Sequence, residues 1–204
     1  TRTAKDDVYQ QLIDELTWAT QNGPEVDHSN KYLLSKAFAH GMLARVYAEK
    51  SAHQDWNKVA EHCEIVEGMG FTLCDDYGQM WAYDDNDAVR NTSESIFEVT
   101  WTRDNGNWIW MMYHRNYYDP NNSYTWIKWI TPSRDLIAAY AAEGDTERAN
   151  ACITYDQTGT DPNSAWSNYY PADNYAFMHK CPTNASSTIL MRLGEIYLLH
   201  AEAL

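Results

Sequence analysis

The chain has 204 residues, enough for one domain with a real core or for a large part of a bigger one. Hydrophobic residues at 44% and charged residues at 22% are ordinary for a soluble globular protein, and no apolar run approaches the roughly 20 residues of a membrane span. A duplex or an anionic membrane surface would repel the formal net charge of −14, so nucleic acid is excluded as an expected partner and neutral partners are favoured.

In chain order, Val8, Leu12, Leu16 and Ala19 make an amphipathic stripe, so residues 4 to about 20 are expected to form a helix. Thr3 and Asp6 resemble a capping box, and Asn22-Gly23-Pro24 ends the element. A second helix is expected from Ser29, as N-cap, to about Lys50. Its small residues Ala37, Gly41, Ala44 and Ala48 share one face and would let a neighbour approach closely, with Leu34, Phe38 and Tyr47 filling in beside them. A third runs from Asp55 to Gly68 or Gly70, with Trp56, Val59, Ala60, Cys63 and Val66 as its apolar face. The short joint predicts an antiparallel, tetratricopeptide-like pair.

From Phe71 to Asn91 the helical period disappears. The acidic run Asp84–Asp87 fails the calcium-loop pattern, because a loop counted from Asp85 would need Gly at Arg90 and Glu at Ile96. Alternation from Ser95 to Trp101 predicts a short strand.

The stretch that follows, Trp101 to Trp129, holds five of the nine Trp and four of the fifteen Tyr, and no Phe or Leu. A buried core would favour residues without polar atoms to satisfy. Trp and Tyr carry an apolar body and a polar handle. Interleaved with Arg103, Asn105, Asn107 and Asn116, they suit a sugar, whose C–H face stacks on rings while its hydroxyls bond to the polar groups. The pool of stacking rings is Trp101, Trp108, Trp110, Tyr113, Tyr117, Tyr118, Trp126 and Trp129. The alternative is that the rings plug gaps in a loop-rich layer. Asp104 and Asp119 are the only carboxylates in the stretch that could form a hydrolytic pair, which would need a separation of about 5–10 Å.

Further on, Thr131-Pro132 opens a helix over 132–142 that Gly144 closes, residues 150 to 187 read as loop-rich, and Thr188 to Leu204 reads as one strong helix. Cys63, Cys74, Cys152 and Cys181 contain no C-x-x-C pair, so structural zinc is not expected; a Cys63–Cys74 bridge and free thiols both stay open. The seven His are scattered, and no metal site or cofactor is expected. Sequons occur at Asn91, Asn121 and Asn184. The N-terminal TRTAKDDVYQQ carries neither signal peptide nor lipid-attachment Cys, and RLGEIYLLHAEAL stops without a helix cap, so both ends are expected to be cuts in a longer protein.

The order KAFAHGMLARVYAEK, DWNKVAEHCEIVEGMGFTL, NTSESIFEVTW, TPSRDLIAAYAAEGDTER and ILMRLGEIYLLHAEAL resembles the SusD/RagB family, outer-membrane lipoproteins of Bacteroidota. One departure is Gly194, where the family usually has Ala. The resemblance implies a mainly α fold: tetratricopeptide-like helices over 4–70, a loop-rich, aromatic-rich ligand side over 71–187 with a little β, and a family helix over 188–204, all as an internal part of one SusD-like domain. It also implies a cell-surface protein, lipid-anchored outside this stretch, that captures oligosaccharides, or peptides in the RagB branch. Such a protein would pass its cargo to a SusC-like TonB-dependent transporter and catalyse nothing. The segment matching Trp101–Trp129 commonly contributes to the ring arc of such glycan binders.

Overall fold

The computed structural model describes residues 2–82, 89–102, 104–106, 130–156, 174–181 and 183–204. The elements are α1 (Lys5–Asn22), α2 (Lys36–Ala48), α3 (Trp56–Glu67), a 3₁₀ helix (Tyr77–Trp81), β1 (Ser95–Val99), α4 (Arg134–Glu143), α5 (Thr146–Cys152), β2 (Ile153–Asp156), β3 (Tyr175–Met178), β4 (Thr188–Arg192) and α6 (Leu193–Ala203). This is the expected mainly α architecture with a little β. The chain forms two compact units. The first contains Thr1–Cys74, Asn91–Val99 and Ile189–Leu204; the second contains Asp75–Arg90 and Thr100–Thr188.

In the first unit, α2 and α3 form the expected antiparallel pair. Late α2 meets early α3, where Lys58 Nζ donates to the Tyr47 hydroxyl at 3.1 Å, and earlier α2 meets later α3, where His40 faces His62. Asp55 caps α3 by accepting from the amides of Asn57 and Lys58. Val59, Cys63 and Val66 are fully buried against Leu43, Ala44 and Tyr47. Complete burial of each valine contributes about 1.5–3 kcal/mol. At Gly41, α2 passes close to Met191 and Ile196: a Cβ there would overlap Met191 and lie 3.3 Å from Ile196 Cδ1. Arg45 binds both carboxylate oxygens of Glu195 at 2.5 Å and the Leu190 carbonyl at 2.8 Å, tying α2 to the start of α6.

Four local expectations are corrected. No capping box forms, since Ala4 precedes α1 without a side-chain cap. The face of α1 turned to the core carries Tyr9, Ile13 and Leu16, while Val8 and Leu12 are exposed. The second helix starts at Lys36 rather than near Ser29, so Leu34 lies outside it and is exposed. The Ser29 amide and hydroxyl both donate to Asp27, and the Lys31 amide donates to Asn91 Oδ1, so the Lys31-to-Ser29 cap bond of a helix starting there does not form. The last expected helix is split: residues 188–192 form β4 beside β1, and α6 begins only at Leu193, whose amide donates to the Glu94 carbonyl.

The buried side of β1 carries charge. Glu98 is 1% exposed and accepts from the Asn91 amide at 2.7 Å, and Lys31, 3% exposed, donates to the Thr92 carbonyl. Burial pushes the Lys31 ammonium pKa down, and the Glu98 charge opposes that shift. Asn91 sits in the left-handed region at φ 53°. Its Nδ2 donates to the Ser29 carbonyl and the Tyr32 hydroxyl, so this sequon's amide is already used by the fold.

In the second unit, α4 is capped by Ser133, not Thr131, and Gly144 closes it at φ 68°. Residues 150–187 are not all loop. Asp145 caps the unexpected helix α5, and β2 pairs with β3 antiparallel from Ile153–Met178 to Asp156–Tyr175. Among the described residues of this unit, Cys152, Ile153, Tyr175, Ala176 and Phe177 form a buried cluster, with Tyr77, Ile137 and Tyr140 packed against it. No disulfide joins any of Cys63, Cys74, Cys152 and Cys181.

The pair His40–His62 makes a pH prediction. Burial, then the neighbouring His62, lowers the His40 pKa from 6.5 to about 4, and burial also lowers that of His62. The unfolded chain therefore binds a proton at His40 below about 6.5 that the folded chain refuses until about 4. Stability should be lost as pH falls through that window. Urea midpoints from pH 7 to 4, in chelator, are expected to fall more steeply for the wild type than for His40→Gln. Parallel curves would refute the assignment.

Candidate functional site

The structure describes only the beginning of the aromatic stretch. Of the residues expected to bind ligand, Trp101 is described; Arg103, Asn107, Trp108, Trp110, Tyr113, Tyr117, Tyr118, Trp126 and Trp129 lie outside the described residues. The same holds for Asn116 and Asp119.

Trp101 is half-buried, and its indole N–H donates to Thr188 Oγ1 at 3.2 Å. Its carbonyl accepts from Arg90 Nη2 at 2.7 Å, and the same guanidinium nitrogen reaches the Ala185 carbonyl at 3.0 Å. Beyond it, Thr102 and Asn105 bond to each other: the Asn105 amide donates to Thr102 Oγ1 and the Thr102 amide to the Asn105 carbonyl. Gly106 then passes close to Asn184, whose Nδ2 would lie 2.9 Å from any Cβ at position 106. A turn over Thr183–Ser186 is held by Thr183 and Ser186 themselves. The stretch therefore leaves a hydrogen-bonded base made by Arg90, Thr188 and the 183–186 turn, which fixes where it starts. Trp101 has its ring nitrogen committed to this base. Asp104 and Asn105 are exposed there.

A second aromatic group escapes notice in the sequence. Tyr77 and Trp81 are the first and last residues of the 3₁₀ helix, with ring centroids 6.0 Å apart at 67°. Lys180 Nζ stands 4.9 Å from the Trp81 ring and 5.7 Å from the Tyr77 ring, a cation–π arrangement. The Cys152 thiol donates to the Tyr77 hydroxyl at 3.8 Å. Burial, then Cys152, pushes the Tyr140 hydroxyl up to about 12, which keeps it a neutral donor. The i, i+4 spacing of Tyr77 and Trp81 was legible, but the partner cation comes from 99 positions further along the chain.

No family model matches the sequence, and no curated protein does. Solved structures do match it. A SusD superfamily protein from Bacteroides vulgatus superposes with a TM-score of 0.68 at 19% identity, over 97% of this chain and 41% of that one. A SusD homolog from Bacteroides thetaiotaomicron gives 0.63 at 19% identity, over 98% and 47%. Surface glycan-binding protein A from Bacteroides thetaiotaomicron, in complex with laminarihexaose, gives 0.72 at 17% identity, over 97% and 50%. The chain spans half or less of the length of these proteins. At identities this low the agreement is one of backbone path, and since it covers nearly all 204 residues it settles the architecture: the chain has the SusD-like fold.

Proposed function

We propose that this chain is part of a surface glycan-capture protein, an internal portion of a longer SusD-like domain. The observation that carries the reading is the combination of a SusD-like fold with a ring-rich, amide-rich segment that begins at the anchored Trp101. A protein of the same fold has been solved with a bound oligosaccharide. Stacking adds about 0.5–1.5 kcal/mol per aromatic pair beyond burial, so two or three rings give weak, releasable capture. Such capture suits delivery to a SusC-like TonB-dependent transporter in the outer membrane, with a lipid anchor holding the protein at the cell surface. The reading gives Asp104 and Asp119 no catalytic role, and reducing ends released from a polysaccharide would overturn that part.

The test is affinity electrophoresis of the full-length protein through neutral and acidic polysaccharides. Retardation by one class is expected, and Trp108→Ala with Trp110→Ala should remove most of it. Retardation unchanged in that double variant would show that the platform lies elsewhere. The charge of −14 favours a second reading, capture of basic peptides, whose binding would weaken steeply with salt while that of a neutral glycan would not.

A further inference from the structure

Seven histidines are scattered along the sequence, but the fold brings two of them together. His40 on α2 and His62 on α3 are 22 positions apart, and their Nδ1 atoms are 3.0 Å apart. The rings are tilted at 47°, with centroids 5.1 Å apart. Both residues are half-buried, so the pair has one side on the core and one side open. The Tyr47 ring stacks on His62 at 5.9 Å with an interplanar angle of 12°, and the Lys58–Tyr47 hydrogen bond holds that ring. The Tyr47 ring therefore backs one side of the imidazole pair.

A nitrogen–nitrogen separation of 3.0 Å fits two chemistries. One is a single shared proton, with one ring donating and the other accepting. The other is the edge of a coordination sphere: two ligands each about 2.0–2.1 Å from an ion lie roughly 2.8–3.4 Å apart when the angle between them is about 90–110°. The proton and the ion compete for the same lone pairs. We propose that His40 and His62 form a two-imidazole site for a divalent transition-metal ion of borderline softness, Cu²⁺ in preference to Zn²⁺, that bridges α2 and α3.

The preference follows from the ligands. Imidazole nitrogen suits copper, nickel and zinc, and affinity at a given nitrogen site peaks at copper. The ligand form is the neutral imidazole, and half-burial beside a second imidazole favours that form for His40 at neutral pH. Among the described residues no group of three His, Cys, Asp or Glu converges, so water completes the sphere. The charges around the pair are mixed. Glu61 acts on both rings in the sense that favours a cation, while Lys36 acts against it at His40 and Lys58 against it at His62. Lys36 is partly neutralised by its ion pair with Glu25.

The experiment titrates the full chain with CuCl₂ and with ZnCl₂ in a non-coordinating buffer at pH 7.5, against a competing chelator, and follows the ring nitrogens of ¹⁵N-histidine-labelled protein during the zinc titration. One ion per chain is expected, bound more tightly as Cu²⁺ than as Zn²⁺, and zinc should shift the ring nitrogens of two histidines and leave the other five in place. His62→Gln should weaken binding at least as much as the roughly 10–100-fold lost with an outer-shell partner. Circular dichroism shows whether that variant remains folded; if it does not, the wild-type ring-nitrogen pattern decides by itself. Zinc that leaves both rings unmoved, or that shifts other histidines first, overturns the site.

Discussion

Replacing Arg192 with methionine should lower the unfolding free energy by about 3 kcal/mol, the lower end of what breaking a buried ion pair costs. Arg192 Nη1 pairs with Glu94 Oε1, and the Glu94 side chain is only 4% exposed while that of Arg192 is 31% exposed. The open side of the arginine is why the lower end applies. Glu94 has other duties at the same point: its Oε2 accepts from the Cys74 amide at 3.3 Å, and its carbonyl accepts from the Leu193 amide at 2.9 Å. Methionine would leave a buried carboxylate without its cation just where α6 begins. The double variant Glu94→Leu with Arg192→Met removes both charges and should recover most of the loss. Urea unfolding measures both. A single variant as stable as the wild type, or a double variant no better than the single one, would show that the pair does not hold this junction.

The same pair explains Gly194. A Cβ at that position would overlap the Arg192 guanidinium and lie 2.9 Å from Glu94 Oε1. The alanine that the SusD/RagB resemblance leads one to expect there would press on the ion pair, so glycine makes room for it.

The second large effect is expected from Gly41→Val. Overfilling a packed core typically costs 1–3 kcal/mol, and a value near 3 is expected, because the added atoms would overlap Met191, itself 1% exposed, with its Cε 2.9 Å from the new Cβ. Removing a mid-helix glycine returns only about 0.5–1 kcal/mol through the unfolded chain. Shortening the residue it strikes, in the double variant Gly41→Val with Met191→Ala, should offset part of the cost, and the coupling between the two sites is read from a double-mutant cycle. Additive losses would mean that the two side chains do not meet. Both variants probe the packing of β4 and α6 against the first helices.

Much of the fold was legible in local pattern. The start of α3 near Asp55, Val59, Cys63 and Val66 as its buried face, Gly144 as the stop of α4 and the small face of α2 all follow from rules that act within a few residues. The errors came where a distant partner outvoted the local pattern. Residues 188–192 carry an apolar period that suits a helix, but β1 offers them a pairing edge, and the helix waits until Leu193. Val8 and Leu12 belong to a plausible stripe, but the packing of α2 selects the neighbouring face with Ile13. Of the candidate site, sequence composition marked the ring-rich stretch, and the structure adds its anchored start at Trp101.

By itself, the sequence determined the helical character of this chain, the positions of most helix ends and the concentration of rings between 101 and 129, because propensity, capping and composition are properties of neighbours along the chain. Only the tertiary structure decided that Glu98 points inward beside Lys31, that Arg192 neutralises Glu94 and that His40 meets His62. A charge or an imidazole is buried only when a specific partner from elsewhere in the chain satisfies it, and no window of neighbouring residues contains that partner.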